Sequence, residues 1–271
     1  MTSDNYYSHD TDFEYMSVSV FKEFEKCEAA TLAKLKNEWL PETSPQALLV
    51  GNYVHSYFES PEAHQKFIDE NKGEMLSTRG KTKGQLKAPY KFADSMIKTL
   101  DDDKFFKQIY EPGQKEVIVT GKIDGYDWKG KIDSLVLDQG YFCDLKTVDD
   151  IHKKHWNDEE RNWQNFIFDR QYEMQMAVYQ ELIKQTFGVD CEPFIFAVSK
   201  QTPPDHEAFH FESIDTQYRM QEAMDKIHER QERYWKVMMG EIKPHHCGHC
   251  EYCRSHKKLT GFTDVSALEV N

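Results

Sequence analysis

No apolar run in this chain approaches the roughly 20 residues needed to cross a bilayer. The amino terminus, MTSDNYYSHDTDFEY, is polar and acidic, with no hydrophobic stretch behind a basic start. These two absences predict a soluble, cytoplasmic protein with no membrane partner. A basic excess is lacking as well. Against 47 Asp and Glu stand 34 Lys and Arg, for a net charge of -13, which argues against a protein that coats nucleic acid by bulk electrostatics. Glycine (13) and proline (9) are sparse and dispersed, and no repeat or low-complexity tract is visible. Nothing marks a linker, so one domain over 1–271 is expected, with a core at about 17–240 and a cysteine-rich appendage at 241–258. Cysteine is scarce and uneven: Cys27, Cys143 and Cys191 are scattered, whereas Cys247, Cys250 and Cys253 fall within CGHCEYC. In a cytosolic chain, C-x2-C-x2-C points to a metal rather than to disulfides.

What is present can build a sizeable core, since 39% of the residues are hydrophobic and 13% aromatic. The spacing predicts a helix over 16–38, capped by Ser17 or Ser19, then helices over 46–60 and 89–109. The period then changes. KEVIVTG (115–121), KIDSLVLD (131–138) and YFCDLKTV (141–148) read as an antiparallel meander, separated by Asp124-Gly125 and Gln139-Gly140. A helix over 168–187 stopped by Gly188 follows, then strands over 193–200 and 208–213 and a helix over 215–239. This order predicts an α/β fold, a mixed central sheet flanked by helices.

Asp144 and Lys146 interrupt an otherwise apolar strand and, two residues apart, emerge from one face of it. Asp133 lies one hairpin away, on a strand about 5 Å distant. Carboxylates gathered this closely repel one another unless a divalent cation neutralises them, and oxygen donors favour magnesium or manganese. Lys146 beside them can stabilise charge building on a phosphate. The combination points to phosphodiester hydrolysis, with a structural ion pair as the plainer reading. Three further features bear on it. His55 stands among apolar neighbours in GNYVHSYFES, where a lone histidine is more often a core residue than a ligand. Gln171, Gln175 and Tyr179, at i, i+4 and i+8, would line one face of a helix able to donate to DNA. RGKTKGQLKAPYK (79–91) places Lys81, Lys83 and Lys87 in an acid-free stretch, either a phosphate-contacting loop or a solvated one.

In order, G-x-x-x-H, an acidic strand, G-K-I-D, D-L-K-T and Q-x-x-x-Y resemble the RecB-like branch of the PD-(D/E)XK nuclease superfamily, nearest to the phage and prophage exonuclease VIII (RecE-type) group. The resemblance spans about 17–258, with its specific motifs at 51–59, 116–146 and 171–179. It implies that His55, Asp133 and Asp144 are the Mg/Mn-binding residues, Lys146 the catalytic lysine, and Gln175 with Tyr179 the glutamine-tyrosine motif. Glu116 fits a further catalytic glutamate, with Glu59 its competitor. It implies a DNA exonuclease resecting duplex ends for recombination, with DNA, a single-strand annealing protein and further copies of itself as partners. A single-strand-specific or helicase-associated nuclease is the alternative among enzymes. Outside enzymes the alternative is a non-catalytic zinc-containing nucleic-acid-binding module. Some relatives hold a 4Fe-4S cluster with one cysteine in the first helix and three near the C-terminus, the pattern of Cys27 with Cys247, Cys250 and Cys253. The resemblance therefore implies a 4Fe-4S cluster; because the last pair is closer than usual and His245, His246 and His249 crowd the run, zinc is the alternative.

Overall fold

The computed structural model describes residues 1–2, 5–41, 46–158, 160–259, 261–262 and 264–267. The chain divides into two compact units: Met1–Val18 with Ser44–Glu229, and Ser19–Thr43 with Arg230–Asn271.

The first unit is built on a mixed five-stranded sheet. β1 (Gln114–Ile123) turns through Asp124 and Gly125, both at positive φ, into β2 (Tyr126–Val136), the Asp-Gly hairpin chemistry that the sequence predicts. β3 (Tyr141–Val148) pairs antiparallel with β2. A small ribbon follows, β4 (His155–Asn157) with β5 (Asn162–Gln164), and then two helices, Phe166–Asp169 and Tyr172–Phe187. The chain returns as β6 (Glu192–Ser199), parallel to β3 along its whole length, and β7 (His206–His210) closes the order β1-β2-β3-β6-β7. The expected α/β class and the antiparallel meander are therefore found. Helices Gln46–Glu59, Ala88–Asp101 and Lys104–Tyr110 supply Val50, Tyr53, Met96, Phe106 and Tyr110 to a core that takes Cys143, Leu145 and Phe196 from the sheet. On the opposite face Phe142 meets Tyr179 of Tyr172–Phe187.

The boundaries differ from expectation where side chains reset the backbone. The helix over 89–109 breaks because Asp103 starts a new one, accepting the Phe106 amide at 2.7 Å. The helix over 168–187 is two, since Asn165 caps an early turn and Gln171 adopts a left-handed conformation (φ 51, ψ 47) before the longer helix begins. An unpredicted helix, Pro61–Met75, carries a local signal: Ser60 accepts the Ala63 amide and Pro61 occupies the first turn.

In the second unit the helix expected over 16–38 is likewise two, Val18–Lys26 and Glu28–Leu35, parted by Cys27 in extended conformation. The Glu28 carboxylate binds Arg233 through both oxygens (2.6 and 2.8 Å) and accepts the His245 amide at 2.7 Å, while the Ala29 amide donates to His245. Phe21 and Phe24 pack on Tyr234. No helix among the described residues is long and apolar enough to cross a membrane.

Candidate active site

Gly51 and His55 lie one helical turn apart on Gln46–Glu59, and so share a face. A Cβ at Gly51 would sit 3.4 Å from Thr147 Oγ1 on β3. The helix thus packs directly on β3, and His55, half-buried, reaches Asp133 Oδ2 with Nδ1 at 3.3 Å.

The pairing of β2 and β3 runs from Val136–Tyr141 to Ser134–Cys143 and stops one position before Asp133 would face Asp144. There the strands part, and the Leu145 amide donates instead to Asp133 Oδ2 at 2.7 Å. Asp133 is missing from the β1 ladder too. Its register partner, Glu116, has φ 52, and these two positions form the one gap between Gln114 and Ile123. With Glu116 and Asp133 freed from the ladder, these two and His55 bring one donor atom each within 4.8 Å of one another. Glu116 also pairs with Lys131.

Asp144 is almost fully buried and stands on the lysine side. Lys146 Nζ lies 2.6 Å from Asp144 Oδ2, and Gln175 clamps both, donating to Asp144 Oδ1 at 2.8 Å and accepting from Lys146 at 3.0 Å. The Tyr172 ring lies 4.4 Å from the same ammonium. Tyr179, one turn beyond Gln175, is buried with its ring where a Cβ at Gly130 would come within 2.8 Å. The glycine of G-K-I-D thus makes room for the tyrosine of Q-x-x-x-Y.

Electrostatically the group is frustrated. Burial lifts Glu116 above the ordinary carboxylate range, with Asp133 adding to it. Burial also lifts Asp144, against the pull of Lys146. At Asp133 burial opposes ionisation, but His55 prevails and holds the carboxyl below its usual value. At His55 burial opposes the charge, and Asp133 outweighs it and raises the pKa. Acids that cannot all ionise together are the signature of a site that a cation would relieve.

The structure thus gathers His55, Glu116, Asp133, Asp144, Lys146 and Gln175. Asp144 is outside the 4.8 Å triad because Lys146 and Gln175 hold its carboxylate. Glu59 is exposed and outside it as well. Gln171 precedes its helix, so the face expected to join it to Gln175 and Tyr179 does not exist. It lines a separate cleft with Phe168 and Arg219. Lys81 and Lys83 are exposed and Lys87 half-buried on a loop closed by the Leu76–Leu86 bridge. Among the described residues none of the three pairs with a carboxylate. Sequence reasoning missed Tyr172 and Lys131, each one helical or strand step from a residue it did find.

In the second unit the sulfurs of Cys27, Cys247, Cys250 and Cys253 lie within 4.8 Å of one another. Cys27 and Cys247 stand 3.7 and 3.9 Å from Cys253. The amides of Cys250 and Cys253 donate to the sulfurs of Cys247 and Cys250. Burial works against the Cys247 thiolate, but the surrounding amides and thiols prevail and bring its pKa down to about 6. All four are free thiols, a donor set suited to a metal.

Comparison with known proteins gives a consistent picture. A crystal structure described as that of a "Putative exonuclease" from Eubacterium rectale aligns with a TM-score of 0.87 and 35% identity, over 98% of this chain and 96% of that one. No curated protein matches. Residues 17–256 match the family described as a PDDEXK-like domain of unknown function (DUF3799). The chain belongs to that family, and with it to the PD-(D/E)XK nuclease superfamily.

Proposed function

We propose that this chain is a metal-dependent deoxyribonuclease, an exonuclease that resects duplex ends for recombination in the cytoplasm. One observation carries the reading: the donor triad of His55, Glu116 and Asp133 at the point where β2 and β3 part beside the Asp144–Lys146 pair. These residues fit a divalent cation. Asp144 Oδ2 is buried and, its ion pair aside, accepts no hydrogen bond, which leaves lone pairs for a fourth donor. A bound magnesium or manganese ion would neutralise the acids, acidify a coordinated water and polarise a phosphoryl oxygen.

The chain's own residues do the rest. Lys146 stays charged, because Asp144 outweighs its burial and raises its pKa, and it stabilises the negative charge that grows on the scissile phosphate. Gln175 fixes the lysine relative to Asp144, and Tyr172 supports the ammonium from its ring face. Tyr179 is a positioning residue that holds the Gln175 helix against Gly130. Lys81, Lys83 and Lys87 grip phosphates outside the site. The unbroken family match over 17–256 supports one nuclease domain spanning both units. An annealing protein and further copies of the chain are proposed as partners on the family resemblance alone.

For the four cysteines the sulfur separations support a single tetrahedral ion. With Zn–S bonds of about 2.3 Å the edge of such a site is about 3.8 Å, against 3.7 and 3.9 Å here. A cluster gives each thiolate its own iron and spreads the sulfurs further apart.

The deciding assay uses duplex labelled at the 5′ or 3′ end, with magnesium, manganese or EDTA. Degradation from one end that EDTA stops, and that Asp144→Asn and Lys146→Ala both abolish, is the expected result. Metal-independent degradation, or variants retaining more than a few per cent of the parent rate, would overturn the reading. Elemental analysis should find one zinc per chain, and iron with acid-labile sulfide would replace zinc by a cluster.

A further inference from the structure

Between the Lys146 strand and the Gln175 helix the chain builds the β4–β5 ribbon from the polar stretch HKKHWNDEERNWQN. Its two tryptophans are partners in register, Trp156 opposite Trp163, with ring centroids 5.3 Å apart and planes at 69°. A cross-strand aromatic pair helps to hold so short a ribbon together. It does not account for their exposure, 46% and 63%. Trp156 is further pinned by its Nε1, which donates to Asp158 at 2.9 Å. Both rings therefore stand fixed with open faces.

At the base of the ribbon a groove of about 410 Å³ is lined by Trp163, Phe166 and Phe209 together with Lys153 and Lys154. Phe166 packs edge-on against Tyr172 at 6.3 Å, and Tyr172 lies under Lys146. Phe166 is itself buried, so the groove is joined to the candidate site through packed rings. Charge in this stretch is mixed, with Asp158, Glu159, Glu160 and Arg161 beyond the two lysines. Part of that acid is engaged: Asp158 holds Trp156, and Glu160 meets Arg219 at 3.3 Å. A surface with two fixed indoles and only two lysines is poorly suited to a duplex backbone and well suited to unpaired bases.

We propose that Trp156 and Trp163 form a stacking platform for an unpaired DNA strand, with Lys153 and Lys154 on its phosphates. The proposal rests on the nuclease reading and names the form in which the strand arrives. Stacking carries the affinity, so binding depends weakly on salt: neutralising two phosphates of a single strand gives a slope of about -1.4 in log K against log salt.

The test measures anisotropy of labelled dT20 and of a blunt 20-bp duplex with the Asp144→Asn protein in the absence of added magnesium or manganese. Adding Trp156→Ala and Trp163→Ala should weaken dT20 binding at least ten-fold, while Trp163→Tyr, which keeps a ring, stays within three-fold. Lys153→Gln with Lys154→Gln should flatten the salt slope by about 1.4. Should the alanine variants bind dT20 like the parent, or the parent prefer duplex indifferently to both tryptophans, the platform is refuted, even if the enzyme degrades DNA. Failure of the parent to degrade any DNA with magnesium or manganese refutes the nuclease reading by itself, and dT20 binding still decides the platform.

Discussion

Asp133 accepts the Leu145 amide at 2.7 Å where the backbone ladder between their strands has stopped. One carboxylate therefore has two tasks, to close a broken ladder and to present charge, and substitutions can separate them. Asp133→Asn keeps an acceptor, so the urea midpoint should move by less than about 1 kcal/mol equivalent. Asp133→Ala leaves a buried N–H unpaired and should cost about 1–3 kcal/mol. Both should lose manganese binding in titration calorimetry, and retention by either would remove Asp133 from the ligand set.

Gly130→Ala would place a Cβ 2.8 Å from Cε1 and 3.0 Å from Cδ1 of Tyr179, ring atoms that cannot yield without moving their helix. Overpacking of this kind costs about 1–3 kcal/mol. Because Gln175 rides on the same helix, nuclease rate should fall with it. An unchanged urea midpoint at constant m would show that the ring is not held there.

Lys115 is half-buried, with its ammonium on the carbonyls of Tyr110 and Glu111 and on Ser134 Oγ, and burial pushes its pKa down to about 8. An unfolded lysine titrates near 10.4. Between these values the unfolded chain binds a proton that the folded chain does not, so this group makes stability rise with pH. Its contribution is complete above about pH 10.4 and is lost as pH falls through about 8. Lys115→Met should flatten that rise, as read from parent-minus-variant urea midpoints at pH 7.5, 9 and 10.5. A constant difference would place the lysine in water.

Replacing Lys81, Lys83 and Lys87 with Gln should weaken duplex binding alike at all sequences and flatten the log-log salt dependence by about 0.9 for each phosphate no longer neutralised. An unaltered slope would make the segment a solvated loop.

Cys27→Ser should lower metal content and melting temperature together, because binding free energy at a structural metal site is also folding free energy. If both survive, the fourth donor is another residue, with His246 Nδ1 at 3.8 Å from Cys253 the nearest placed.

Asp133, Asp144 and Lys146 were legible in the sequence because strand period and one hairpin suffice to bring them together. Gln175 and Tyr179 were legible as neighbours because one helical turn joins them, but not as the DNA donors expected: Asp144 and Lys146 engage Gln175, and Tyr179 is buried. The break at Cys27 was not, since the groups that draw Glu28 aside come from Arg233 and His245, 205 and 217 residues away. No local window contains them. Gln171 was misplaced for a different reason. Asn165 accepts the amides of Ile167 and Phe168 and starts an early turn, a capping signal present in the sequence but outweighed there by the apolar periodicity around it. The Trp156–Trp163 ribbon is three residues a side, too short for alternation to register.

The thiols of Cys27 and Cys253 are 226 residues apart in the chain. At translation rates of about 5–20 residues per second, Cys27 leaves the ribosome roughly 10–45 s before its last partner. For that interval the first helices of the second unit exist without the segment that completes their thiolate site. A chain that ends after Gln175 but before Cys253 holds every residue of the β2–β3 centre yet cannot assemble the four-sulfur one. A metal held by the four sulfurs would therefore report that translation has passed Cys253.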